Sequence, residues 1–181
     1  MSLEKRPLTL TINGKKIGPV EVPLDMPMID FLHEYLNLTG TRFGCGQGVC
    51  HACTVMEVHP DGALSETRTC VFSAHYFNNK SITTIEGQAK YDPQGNLESL
   101  SPVQQAFIDH FSFQCGYCAP GFVAGATVFI EGLKRQPVKR ANLESAIEEA
   151  LNEHICRCTG YVRYYEAVKE VALATPGCVK D

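Results

Sequence analysis

Apolar and polar residues alternate through residues 8–22, as is typical of β-strands, and the alternation breaks at Asn13-Gly14. Asn-Gly between two such runs predicts a hairpin. The apolar period then changes, because Ile29, Leu32 and Leu36 recur at helical spacing before Gly40. Further strands are predicted for residues 54–58, 64–70 and 81–85. This half of the chain therefore predicts a small sheet with one packed helix.

The second half has helical periodicity. Ser101, Pro102 and Gln104 form a capping-box sequence that predicts a helix through about residue 111. Residues 122–133 are apolar nearly all round, Asn142 is placed to cap a third helix, and a fourth begins at about residue 164. Residues 87–100 contain few apolar positions and are interpreted as a linker. The fold class is therefore α+β, with domains at residues 1–86 and 101–181, the second an all-α four-helix bundle.

Charge and composition exclude several classes of function. The net charge of −4 argues against nucleic acid as a partner, since phosphate binding relies on a basic surface. No stretch approaches the roughly 20 apolar residues of a membrane span, and no signal peptide is visible, so we expect a cytoplasmic chain without direct membrane insertion, or a periplasmic one if a signal-bearing partner exports it. Neither a nucleotide loop nor a nucleophile and base constellation is present, so no catalytic residue is predicted.

Three cysteines stand close together in a glycine-rich stretch at residues 44–53. Cys45, Cys50 and Cys53, followed by the distant Cys70, have the spacing of plant-type ferredoxins, in which four thiolates hold a 2Fe-2S cluster. Glycines at positions 44, 46 and 48 permit the close backbone approach that such a loop requires. A zinc site is the alternative.

A second set of thiols lies within the helical half. Cys115 and Cys118 fall at one helix junction, and Cys156 and Cys158 fall at another. Two antiparallel helical hairpins can bring these junctions together around one site. Zinc is a stronger alternative here, because two close pairs are also how zinc is held. The ninth cysteine, Cys178, is interpreted as a bystander.

Three motifs carry a resemblance to a known family. They are Phe43-Gly44-Cys45-Gly46 with Cys50-His51-Ala52-Cys53, then Gln114-Cys115-Gly116-Tyr117-Cys118, and Cys156-Arg157-Cys158-Thr159-Gly160-Tyr161. In this order they resemble the iron-sulfur subunit of the xanthine oxidase family of molybdenum hydroxylases, over about residues 8–172. That family's fold, a β-grasp 2Fe-2S ferredoxin domain followed by a four-helix-bundle 2Fe-2S domain, agrees with the periodicity.

The resemblance implies an electron-transfer subunit for this chain. A large partner subunit would hold the molybdenum pyranopterin and oxidise the substrate, an aldehyde or an N-heteroaromatic compound. The set at Cys115, Cys118, Cys156 and Cys158 would hold the 2Fe-2S cluster nearest molybdenum, and the set at Cys45, Cys50, Cys53 and Cys70 the outer one. Gln114 matches a glutamine that hydrogen-bonds the pterin, and Cys158 would lie near its amino group. Electrons would leave to a flavoprotein or a cytochrome c.

Two positions depart from the family pattern. His51 stands where the family usually has glycine, and Glu153-His154 stands where it usually has Gly-Asn. We interpret His51 as a residue beside the ligands or exposed to solvent. The alternative function is a free-standing two-cluster ferredoxin or redox sensor without a catalytic partner, and a zinc-stapled interaction module is a third, structural interpretation.

Overall fold

A mixed five-stranded sheet forms the first half of the computed structural model, which describes residues 4–181. The strands are β1 (Lys5–Ile12), β2 (Lys15–Pro23), β3 (Thr54–Val58), β4 (Leu64–Arg68) and β5 (Ser81–Thr83). Their order is β2-β1-β5-β3-β4, with β1 and β5 parallel and the other neighbours antiparallel. The Asn13-Gly14 turn joins β1 to β2, with φ angles of 52° and 75°, as the sequence predicts.

One face of this sheet is covered by a short helical segment. Helix α1 (Met28–Asp30) continues into a π-helical turn at Phe31–Tyr35. Phe31 and Leu32 are fully buried against strand residues such as Leu10. The predicted helix is thus confirmed, and its buried face holds the strands in the order that positions the first cysteine loop.

Four longer helices form most of the second half. They are α2 (Pro102–Asp109), α3 (Ala119–Arg135), α4 (Leu143–Leu151) and α5 (Val162–Ala174). The capping box that begins α2 is confirmed, because the Gln104 backbone N–H donates to Ser101 Oγ at 3.2 Å and the Ser101 N–H donates to Gln104 Oε1 at 3.0 Å. Asn142 stands at the N-cap position of α4, as predicted, but its side chain makes no cap hydrogen bond. A 3₁₀ turn leads into this helix, and Asn142 therefore lacks the extended backbone of a cap residue, with φ −107° and ψ 2°.

The helices share a hydrophobic core that is separate from that of the sheet. Phe122 of α3 and Tyr164 of α5 stack with ring centroids 4.2 Å apart and planes inclined by 4°. Phe107 of α2 packs against Tyr164 at 5.1 Å. Aromatic burial of this kind fixes the ends of α3 and α5, which carry the second set of thiols.

The segment predicted as a linker has some structure of its own. Strands β6 (Lys90–Tyr91) and β7 (Leu97–Ser99) form an exposed hairpin, closed by a hydrogen bond of 2.7 Å from the Asn96 N–H to Asp92 Oδ1. A separate pair of strands lies outside this segment, in the second half of the chain, where β8 (Val138–Lys139) pairs in parallel with β9 (Val179–Lys180). The strands β6 and β7 are short and exposed, so no alternating apolar pattern predicts them.

Helix α3 carries the contact between the two halves. It packs on β3 and β4, and an added Cβ at Gly121 would lie only 2.2 Å from the backbone oxygen of His51. At the other end of the helix, Arg135 forms an ion pair of 3.1 Å with Asp61. The combination of sheet and separate helices confirms the α+β class. Within residues 4–181, none of the helices is both long and apolar enough to cross a membrane.

Candidate metal centres

The first cysteine loop points backbone N–H groups at one sulfur. Cys45 Sγ accepts from the N–H groups of Gln47, Val49 and Cys50 at 3.4, 3.3 and 3.4 Å. Gly46 and Gly48 make this possible, because the loop holds them at φ 67° and 72°. Desolvation alone would raise the pKa of Cys45, but these donors outweigh it and lower the pKa to about 6.

The other three thiols of this set lie around the same loop. Cys50 Sγ sits only 2.7 Å from where a Cβ on Gly44 would be, so this position requires glycine. Cys53 is buried just before β3, and its thiol interacts with Cys70, which lies just beyond β4. Burial raises the pKa of Cys53 to about 12. The structure thus brings Cys45 beside Cys50 and Cys53 beside Cys70.

The second set of thiols meets where two helix junctions face each other. Cys158 Sγ lies 3.6 Å from Cys115 Sγ, and the thiol of Cys118 interacts with that of Cys156. All four of these residues line one cleft. The helical hairpins therefore bring the two cysteine pairs together, as their position at the junctions predicts.

Polar side chains hydrogen-bond the buried members of this second set. Thr159 Oγ1 donates to Cys156 Sγ at 3.1 Å, and the Tyr164 hydroxyl lies 3.5 Å from Cys118 Sγ. Burial raises the pKa of Cys118 to about 11. Such hydrogen bonds to ligand sulfurs tune a metal centre.

The donor chemistry of both sets fits iron-sulfur clusters. Buried thiols such as Cys53 and Cys118 resist deprotonation by themselves, and a bound metal cation reverses that preference. The N–H groups around Cys45 are the kind of donor that stabilises negatively charged cluster sulfur. The residues present are therefore suited to hold the predicted clusters.

The two cysteine loops are directly hydrogen-bonded to each other. The Ile155 N–H donates to the Cys50 oxygen at 3.2 Å, and the Tyr117 hydroxyl donates to the Phe43 oxygen at 2.6 Å. Cys45 and Cys50 line the same cleft of about 330 Å³ as the second set. The two candidate centres therefore lie in one hydrogen-bonded region of the molecule.

The second site opens to the surface on one side. Gln114, Cys115 and Cys158 are exposed. Phe111, which ends the turn before Gln114, is 74% exposed, and Val162 at the start of α5 is 61% exposed. Two large apolar side chains close in sequence to Gln114 and Cys158 are therefore exposed to solvent.

Comparison with known protein families identifies both cysteine regions. A model described as the 2Fe-2S iron-sulfur cluster binding domain matches residues 10–74, and one described as the [2Fe-2S] binding domain matches residues 84–169. Isoquinoline 1-oxidoreductase subunit alpha of Brevundimonas diminuta is 37% identical over 89% of this chain and 94% of its own length. The chain belongs to the iron-sulfur subunits of the xanthine oxidase family of molybdenum hydroxylases. The role of these subunits is electron transfer.

Other members of the family include proteins of similar length and much longer ones. Aldehyde oxidase 2 of Rattus norvegicus is 32% identical over 96% of this chain, which spans only 12% of that protein. A crystal structure of quinoline 2-oxidoreductase from Pseudomonas putida 86 superposes with a TM-score of 0.78 at 32% identity, covering 94% of this chain and 95% of the other. The family resemblance thus extends over nearly the whole iron-sulfur subunit.

The two departures from the family pattern meet in space. His51 has a φ of 57°, a left-handed conformation that suits the glycine usual in this family. Its ring is 5% exposed and contacts the ring of His154 edge to face, at 4.9 Å between centroids. Of the two alternatives offered for His51, the structure excludes exposure to solvent and supports a buried position beside the ligands. Glu66 of β4 joins this pair and was not singled out from the sequence.

Proposed function

We propose that this chain relays electrons through two 2Fe-2S clusters, from the molybdenum pyranopterin of a large partner subunit to an external acceptor. The direct hydrogen bonds between the cysteine loops, Ile155 to Cys50 and Tyr117 to Phe43, are the observation that carries this proposal. They hold the two candidate centres in one fixed arrangement, which a one-electron relay requires. The clusters, when bound, supply one-electron carriers that split the two-electron oxidation of a substrate.

The second cysteine set is the proposed entry point for electrons. Cys115, Cys118, Cys156 and Cys158 would hold this cluster, with Gln114 hydrogen-bonding the pterin and Cys158 lying closest to it. The exposure of Gln114 and Cys158 supports this assignment, since a partner can reach both. The exposed Phe111 gives the partner an apolar surface to bury.

The first cysteine set is the proposed exit. Cys45, Cys50, Cys53 and Cys70 would hold the outer cluster. Phe43, Val49 and Val71 surround this loop and are 51%, 58% and 48% exposed, which gives an acceptor an apolar surface of its own. A flavoprotein or a cytochrome c is the proposed acceptor.

Residues of this chain set the charge balance at each site. The three N–H groups at Cys45 stabilise negative charge at the outer site and favour its reduced state. At the inner site, hydrogen bonds from Thr159 to Cys156 and between Tyr164 and Cys118 have the same effect. Ile155 and Tyr117 line the cleft between the two sites.

The finer assignments follow from family membership. We infer a β-grasp domain over residues 1–86, a linker at 87–100 and a four-helix bundle over 101–181; the two separate hydrophobic cores support this division. The substrate of the complex is proposed to be an aldehyde or an N-heteroaromatic compound. Isoquinoline, quinoline and aldehyde oxidoreductases are among the similar proteins.

Purification of the native complex tests the proposal. The tagged full-length chain is recovered from its host under mild conditions, and its partners are identified by mass spectrometry together with iron and molybdenum analysis. We expect about four irons per copy of this chain and a large molybdenum-containing partner. Recovery of the iron-loaded chain without any molybdenum protein would favour the free-standing ferredoxin or redox sensor instead.

A further inference from the structure

Three potential metal ligands from distant parts of the sequence meet between the two cysteine loops. His51 comes from the first loop, Glu66 from β4, and His154 from the segment before Cys156. His154 Nε2 lies 3.0 Å from Glu66 Oε2, and His51 Nδ1 lies 3.7 Å from the same oxygen. One ligand atom of each residue falls within 4.8 Å of the other two.

The two imidazoles are buried and incompletely satisfied. His51 and His154 are 5% and 1% exposed, and the Nδ1 atom of each lacks a hydrogen-bond partner among residues 4–181. A buried polar group without a partner is destabilising, because it has lost its hydrogen bonds to water. A ligand that accepts a nitrogen lone pair would remove this destabilisation at His51.

The surrounding structure leaves room for these side chains and supplies a negative charge. Gly125 of α3 faces the group, and a Cβ there would lie 2.4 Å from His154 Nε2 and 3.0 Å from Glu66 Oε1. Glu66 Oε2 lies close to both imidazoles, so this residue brings a carboxylate to the group.

We propose that His51, Glu66 and His154 bind one divalent transition-metal ion of the zinc type, in addition to the two iron-sulfur clusters. Two imidazoles and one carboxylate are a common protein ligand set for zinc. Ligand atoms about 2.0–2.1 Å from a tetrahedral zinc ion are about 3.3 Å apart. The observed separations of 3.0 and 3.7 Å lie on either side of that value, and all three ligand atoms lie within 4.8 Å of one another. Metal binding would draw these atoms together and replace the hydrogen bond between His154 and Glu66.

Glu153 provides outer support for this arrangement. Its carboxylate lies 3.5 Å from His51 Nε2, on the ring nitrogen that would not bind the metal. Ligating histidines commonly direct their second nitrogen at a carboxylate, which fixes the ring. An ion bound here would join β4 to both cysteine loops, and its role would be structural. The proposed site does not depend on the molybdenum partner.

Zinc binding by the cluster-loaded, full-length chain tests this proposal. The protein is purified without a metal-affinity tag, equilibrated with zinc, dialysed and analysed for zinc and iron. We expect about one zinc per chain, with a zinc-edge X-ray absorption spectrum that shows nitrogen and oxygen ligands near 2.0 Å. His154→Asn and Glu66→Gln should each weaken zinc binding at least about tenfold.

His110→Asn is the matched control. His110 Nε2 also lies close to a carboxylate, 2.6 Å from Glu170 Oε2, but at the surface, so its replacement should leave zinc binding unchanged. Absence of zinc from the wild-type chain, or zinc bound by sulfur ligands, would overturn the proposal. The three residues would then be a group that only connects the two cysteine loops by hydrogen bonds. The zinc-edge spectrum of the wild-type protein tests the proposal even if a variant folds poorly. The iron count is read separately and bears on the proposed function alone.

Discussion

Replacement of Gly121 by alanine tests how closely the two halves of the molecule are packed. Gly121 lies in the first turn of α3 and faces the loop that carries Cys50 and Cys53. A Cβ at this position would lie 2.2 Å from the backbone oxygen of His51 and 3.1 Å from Cα of Ala52. Both atoms belong to backbone that the adjacent cysteines restrain, so α3 and the loop must move apart.

Two opposing contributions determine the expected change in the free energy of unfolding. Overpacking of a tight contact costs up to about 3 kcal/mol. Alanine gains about 1 kcal/mol over glycine in a helix, which leaves a net loss of about 2 kcal/mol. For a protein of this size, that corresponds to an apparent melting temperature lower by about 4–8 °C. Thermal unfolding of the cluster-loaded chain, followed by circular dichroism at a fixed scan rate, measures the shift.

Gly132 offers a matched control in the same helix. A Cβ at Gly132 would have no heavy atom within 4 Å, so Gly132→Ala should raise the melting temperature by up to about 2–4 °C. Equal stability of the Gly121→Ala and Gly132→Ala variants would refute the tight contact between α3 and the first cysteine loop.

Four further substitutions test the proposed electron path, the contact between the cysteine loops and the proposed docking surface. In the native complex, Cys158→Ser should slow electron flow out of molybdenum, whereas Cys45→Ser should leave reduction of molybdenum by substrate intact. If rapid-mixing spectra show that both variants lose reduction of molybdenum by substrate equally, the proposed order of the clusters is contradicted. Tyr117→Phe removes the 2.6 Å hydrogen bond to Phe43, at a cost of about 0.5–1.5 kcal/mol in stability. The melting temperature should fall by about 1–6 °C while the iron content is retained. An unchanged melting temperature would show that this hydrogen bond is not stabilising. Phe111→Lys should leave folding unaffected but reduce co-purification of the molybdenum chain, because Phe111 is 74% exposed; undiminished recovery would place the docking surface elsewhere.

Local signals predicted the elements that carry the cysteines. The Asn13-Gly14 turn and the Ser101 capping box each act within a few residues, and both were confirmed by hydrogen bonds and backbone angles. Asn142 stands at the predicted cap position without a side-chain cap hydrogen bond, because it ends a 3₁₀ turn that already leads the chain into α4. The exposed hairpin at residues 90–99 was missed, since its strands carry no buried face that would leave an apolar pattern.

The sequence predicts which cysteines share a site, but it does not predict that His51, Glu66 and His154 meet. Ligand spacing identifies thiols that belong to one site even when the pairs are far apart, as with Cys118 and Cys156. His51, Glu66 and His154 have no such spacing, and they meet only because α3 holds the two halves together. The departures at His51 and His154 were visible separately, but their proximity is a property of the fold.

Electron paramagnetic resonance of the reduced full-length chain shows whether it carries two 2Fe-2S clusters. After reduction with dithionite, we expect two distinguishable 2Fe-2S signals, each integrating to about one spin per chain, from a protein with about four irons. A Cys45→Ser variant should alter one signal and Cys158→Ser the other. A colourless protein with zinc in its cysteine sites, or a single signal with half the expected iron, would contradict the account.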